Sequence, residues 1–230
     1  MRHISAILWK QLKDTLKNKA ILIQFLMLPT MTIIMENAIK VKDLPEHFFA
    51  IMFAGMFVGM APLTSMSSII AEEKERNTLR VLLMSNVKPL AYLTGVGIYT
   101  FGMCMIGAVV IALAGGFRGV ELCCFIIIMA VGICVSVVMG AVIGTMSKNQ
   151  MMATSVSIPV MMIFSFVPML SMFNDTIKKV GGIAYTQQLS EMLNNVSNLK
   201  IELEQVLVIG ITMLLAAGLF VYAYKRSGLE

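Results

Sequence analysis

The sequence predicts an all-α integral membrane protein with six transmembrane helices, preceded by an amphipathic helix lying in the membrane plane. Three observations predict it. The 230 residues are 58% hydrophobic and 13% charged, where soluble domains run near ~25% charged. The apolar residues fall in continuous runs of roughly 20, enough to cross ~30 Å of hydrocarbon as a helix, and not in the short alternating segments of a β-barrel. Ahead of the first run, Ile4, Ile7, Leu8, Leu12 and Leu16 share one helical face, opposite His3, Lys10, Lys13, Asp14 and Lys17. That is the pattern of an interfacial helix.

Taken in order, residues 1–19 hold this interfacial helix, with Trp9 flanking its apolar stripe at a depth that suits an indole. The spans follow at 20–38, 48–70, 90–114, 121–146, 151–173 and 206–224, all in one transmembrane domain, 1–230. Pro29 falls within the first span, and Pro159 and Pro168 within the fifth. Pro89 suits the first turn of the third span, where its missing N–H leaves nothing unsatisfied. Gly115-Gly116 closes that span. Residues 174–205 are too long for a tight turn and too polar to span. Gly181-Gly182 divides them into two short helices, expected to dip into or rest on the outer leaflet. No cleavable signal peptide is expected, because no A-x-A site closes the first apolar run; that run should act as an uncleaved anchor.

Lys/Arg counting gives the orientation. With the N-terminus inside, the inner segments hold 12 of the 18 Lys and Arg residues and the outer segments hold 6. A multi-pass cell-membrane protein with both termini in the cytoplasm is expected. The net charge of +5 lies beside membrane segments and not in aromatic-interleaved basic runs, so nucleic acid is not an expected partner.

Several chemistries lack their residues. There is no G-x-x-x-x-G-K-[ST] loop to cradle ATP, no H-E-x-x-H, and His3 and His47 are the two histidines. No catalytic residue, metal site or bound cofactor is expected on this chain. Cys104, Cys123, Cys124 and Cys134 all lie in apolar runs and read as small hydrophobes. The spans from Phe48 onward carry no Asp, Glu, Lys, Arg or His apart from Glu121 at one end. The proton relays and ion sites of pumps and carriers need such groups. Glu36 falls about 16 residues into the first span, near its outer boundary at ~1.5 Å per residue, and reads as an interfacial carboxylate.

Charge concentrates at 71–89, where Glu72, Glu73, Lys74, Glu75 and Arg76 precede Arg80 and Lys88. The second span can continue as a helix through Arg76, Asn77 tolerates the left-handed conformation that ends helices, and Thr78 can cap a new short helix. Leu79, Leu82 and Leu83 then form an apolar ridge with Arg80 pointing elsewhere. Such a ridge fits a groove on a soluble partner; a solvated loop whose leucines rest on lipid fits these residues equally well.

The run Glu73-Lys74-Glu75-Arg76-Asn77-Thr78-Leu79, then Leu82-Leu83, Val87 and Pro89, resembles the E-K-E-R-G-T-L-x-x-L-L-x-x-x-V-x-P signature of ABC-2 type transporter permeases. Asn77 replaces the commoner Gly, and both accept positive φ. The flanking spans, the N-terminal helix and the long segment before the sixth span extend the resemblance over essentially the whole chain. It implies a membrane subunit of an ABC exporter, paired with an identical or different membrane subunit in the lipid bilayer and with separate ABC ATPase subunits that hold ATP and Mg. The loop between spans two and three, Glu72 to Leu83, would be the coupling helix. Ile4, Ile7, Leu8, Trp9 and Leu12 would belong to a connecting helix beside it.

In similar proteins spans two and five face the dimer axis, so Phe53, Phe57, Thr64, Ser68, Ser157 and Phe164 are the expected pathway residues. For any one hydroxyl, a helix-packing contact is the competing reading. The expected cargo is apolar or amphipathic, such as an antimicrobial or toxin-like peptide. The competing functions are a non-transport sensor or immunity component, and a secondary carrier, which the uncharged spans disfavour. The topology is open to test. Single cysteines at Asp43 and Asp175 should label from outside intact cells, in a background without the native cysteines, and one at Ser85 should not; external labelling of Ser85 would invert the orientation.

Overall fold

The computed structural model describes residues 2–38, 45–78, 89–196 and 202–226. Six of its helices are long and apolar enough to cross a membrane: α2 (Lys19–Ala38), α3 (Phe48–Glu75), α4 (Pro89–Ala114), α5 (Gly119–Met146), α6 (Gln150–Ser171) and α9 (Leu203–Arg226). The amphipathic α1 (Arg2–Lys17) precedes them, and the short helices α7 (Asp175–Gly181) and α8 (Tyr185–Asn194) separate α6 from α9. Several helices outrun the apolar segments that predict them: α3 continues five residues past Ile70, and α9 begins three residues before Val206.

The second span is the hub. α3 packs on α2, α4, α5, α6 and α8, and its closest neighbours are α5 and α6. Small residues let the backbones meet. On α5, Gly132, Ser136, Gly140 and Gly144 recur every fourth residue and so form one stripe along the helix. A Cβ on Gly140 would stand 2.5 Å from the Leu63 carbonyl oxygen, and one on Gly144 would stand 3.0 Å from that of Ser67. On the α6 side, a Cβ on Gly59 would meet the Phe164 backbone at 2.7 Å. Close approach through small residues is the usual basis of helix association in lipid, where burying apolar surface gives little advantage.

Pro62 lies inside α3 and has no N–H, so the Val58 carbonyl loses its helical donor. Ser136 supplies the missing hydrogen bond from α5, its hydroxyl donating to Val58 O at 2.6 Å. The Ser136 proton being so engaged, the Tyr185 hydroxyl 2.8 Å away donates to Ser136 Oγ. A chain of two hydroxyls thus joins α8 to α5 and α5 to α3. It also shows that α8 does not rest on the bundle: Tyr185 to Ser190 are all buried, so the helix is inserted among α3, α5, α6 and α9. The break expected at Gly181-Gly182 separates α7 from α8.

At the end of the bundle opposite α1, polar atoms close the start of α3. Glu36 Oε1, on α2, accepts the Ala50 N–H at 2.9 Å. The interfacial carboxylate is therefore a helix cap, placed where the α3 dipole favours negative charge. His47 precedes α3 with φ 62°, hydrogen-bonds through Nδ1 with the Gly115 carbonyl, and stacks on Phe117 at 4.2 Å.

Adding a methyl at the tightest crossing should be felt as overpacking. Gly140→Ala should lower stability by about 1–3 kcal/mol, read as an earlier loss of the monodisperse peak on heating in detergent. Gly210→Ala on α9, where a Cβ meets nothing within 4 Å, should leave it unchanged or higher. Equal melting of the two variants would mean that α3 and α5 are not in backbone contact.

Candidate functional site

The charged stretch after α3 is the candidate site, and most of its side chains bind other helices of the same chain. Glu73 is buried and receives three donors: the Lys10 ammonium, Gln11 Nε2 at 2.5 Å, and the Thr78 hydroxyl at 3.4 Å. Glu72 accepts from Asn18 Nδ2 at 3.3 Å and pairs with Arg76 at 2.8 Å. These contacts hold α1 and its junction with α2 against the end of α3. α1 follows with a mixed face, since Ile7, Gln11 and Thr15, spaced by four, are its buried residues among those with described side chains. Ile7 seats on Gly95 of α4, while Leu8 and Leu12 are half-buried and Trp9 is exposed.

The next two residues reach the far side of α3. Lys74 Nζ donates to the carbonyls of Thr145 and Ser147, at 2.5 and 2.9 Å, where α5 ends. Glu75 Oε2 accepts the N–H of Gln150 at 2.8 Å, where α6 begins. Each charge has the sign that its helix end favours: a cation at a C-terminus and an anion at an N-terminus. Asn149 completes the α6 cap by accepting from Met152 N–H at 2.9 Å. Four consecutive residues thus tie α1, α5 and α6 to α3. Beside this junction a polar cleft of about 720 Å³ opens between α1 and α3, lined by Gln11, Asn18, Glu72, Glu73, Arg76 and Thr78 among others.

The expected chain exit is partly reproduced. α3 ends at Glu75, not at Arg76, and Asn77 takes φ 55°. Thr78 turns its hydroxyl back to the Glu73 carbonyl at 3.1 Å. Leu79, Arg80, Leu82 and Leu83 lie outside the described residues, as does the side chain of Ile4. Within the subunit, helix ends and α1 thus engage the charges of Glu72 to Glu75.

Of the expected pathway residues, Phe53, Phe57, Thr64, Ser68 and Ser157 are buried within the subunit and Phe164 is half-buried. Phe53 and Phe57 are buried; the Phe57 ring fills a socket at Gly107, where a Cβ would stand 2.6 Å from it. The ring is thus seated between α3 and α4. Ser157 hydrogen-bonds Ser67 at 2.7 Å, a contact between α6 and α3. Thr64 donates to Met60 O at 2.7 Å, Ser68 is buried, and Phe164 packs on Tyr185 at 4.9 Å. Gln11, Thr15 and Asn18 belong to the junction and are absent from the sequence-based selection; the four-residue spacing of Ile7, Gln11 and Thr15 was the available signal.

The family model for ABC-2 family transporter proteins matches residues 4–224. The chain belongs to the ABC-2 transporter family. No curated protein matches it. An ABC-2 membrane domain is a transport component and not itself a catalyst.

If Glu73 holds α1 of this ABC-2 protein, removing its carboxylate should free the helix. The partner Lys10 side chain is 35% exposed, so screening reduces the effect below that of a fully buried pair, to about 1–3 kcal/mol. Glu73→Ala should raise deuterium uptake across residues 5–17, and Lys10→Ala should do so less, because Gln11 still donates. Unchanged protection of α1 would show that its apolar contacts with α4 suffice.

Proposed function

We propose that the chain is the membrane subunit of an ATP-driven exporter. Two six-helix subunits, identical or not, would enclose the pathway, and separate ATPase subunits carrying ATP and Mg would dock on the cytoplasmic loop 71–89 beside α1. One observation supports this reading above the rest: Glu72 to Glu75 connect α1, α3, α5 and α6 at one point. A push delivered to the loop would therefore reach three transmembrane helices through bonds shorter than one side chain. The uncharged spans from Phe48 onward disfavour an ion-driven carrier. An apolar or amphipathic cargo, of the peptide type, suits a lining without charged groups.

Coupling and docking can be separated by mutation. Leu82→Asp would place an uncompensated charge in the ATPase groove, at several kcal/mol, so the ATPase should no longer copurify. Glu75→Ala leaves the proposed ridge intact; the ATPase should still copurify while cargo-stimulated hydrolysis falls. Retained copurification and stimulation in Leu82→Asp would place the docking surface elsewhere.

A further inference from the structure

α1 and α4 touch closely at one place and part at another. At Gly95 an added Cβ would lie 2.9 Å from Ile7 Cγ2. Two turns along the same helix, at Gly102, an added Cβ would meet nothing within 4 Å among the described residues. A cleft of about 540 Å³ lies between the two helices there, walled by Leu8, Trp9 and Leu12 of α1 and by Ile98, Gly102 and Met103 of α4. Its walls are almost wholly apolar, so water gains little by entering. An interfacial helix against a transmembrane helix places such a cleft at the boundary of headgroups and acyl chains.

Trp9 and Lys13 supply the second observation. The Lys13 ammonium stands 5.0 Å from the Trp9 ring centroid, and that ring is 61% exposed while forming one wall of the cleft. Lys10, another cation of α1, is bonded to Glu73 and lies 3.7 Å from Asp14. Lys13 instead carries its charge over the indole beside the cleft. An apolar slot with an indole and a cation at its edge matches one amphiphile: an acyl chain below and an anionic group above. Polybasic and apolar contacts act together in binding such lipids.

We propose that the cleft between α1 and α4 binds one acyl chain of an anionic phospholipid from the leaflet on which α1 lies, with the lipid phosphate at Lys13. A zwitterionic lipid brings its own cation and gains less from Lys13. The proposal rests on membrane insertion and on the α1–α4 geometry, and it is independent of the export reading.

The test uses the full chain in phosphatidylcholine vesicles containing a trace of phosphatidylglycerol with a photoreactive diazirine on its acyl chain. Adducts mapped by mass spectrometry should concentrate on Leu8–Leu12 and Ile98–Met103. Excess phosphatidylglycerol should compete them away, and excess phosphatidylcholine should not. Lys13→Glu should lower them about fivefold or more, the scale of one cation near an anionic surface. Gly102→Phe, which fills the open slot, should abolish them while Ile106 and Leu113, exposed on the same helix, still label. Even labelling along Ile98, Ile106 and Leu113, or adducts unaffected by Gly102→Phe, would overturn the proposal. So would efficient disulfide formation between two copies carrying Gly102→Cys, which would make the cleft a contact between chains.

Discussion

One backbone carbonyl governs the arrangement of the bundle. In a bilayer an unpaired C=O has no water to turn to, and each such group costs several kcal/mol. Pro62 creates one at Val58, in the middle of the helix on which α2, α4, α5, α6 and α8 all pack. α3 therefore cannot turn that side to lipid; it must face a donor. Ser136 is that donor, and its position on a stripe of glycines means that α5 can approach closely enough to reach. The Tyr185 hydroxyl then requires α8 to enter the bundle. A proline, a serine and a tyrosine thus fix the relative places of three helices, and close packing at Gly140, Gly144 and Gly59 follows from the same geometry.

The polar end of α3 answers the same requirement by different means. Helices leave unsatisfied N–H groups at their starts and carbonyls at their ends. Where α5 stops and α6 starts, Lys74 and Glu75 meet both needs from a neighbouring helix. Glu36 does likewise for α3 at the opposite end. Lys74, Glu75 and Glu36 therefore sit where backbone dipoles end.

Much of this was legible in the sequence, for identifiable reasons. Continuous apolar runs marked the six long helices because length and composition alone fix that property. Asn77 marked a break because few other residues accept its positive φ; Gly181-Gly182 marked one because glycine disfavours a continuing helix, although Gly182 keeps right-handed dihedrals. The inward use of Glu72 to Glu75 was not legible. Their partners on α5 and α6 are backbone atoms, identical in every sequence, and a charge at a helix end looks the same whether it faces water or another helix. The Phe57 socket was not legible for a related reason: it exists because Gly107 lies opposite on α4, a pairing that depends on helix rotation. The stripe Gly132, Ser136, Gly140, Gly144 could have been read from its four-residue period, and with Pro62 it would have pointed to α3 as the centre.

The short connection between α5 and α6 has a mechanical consequence. Lys74 grips the last residues before it and Glu75 the first residue after it, so the connection is pinned at both sides by adjacent residues of a third helix. Such a joint transmits torque. A twist of α3 about its own axis would draw one helix end and release the other, converting rotation into opposed axial strokes of α5 and α6. Were the two grips on distant residues of α3, the same twist would be absorbed by the intervening turn.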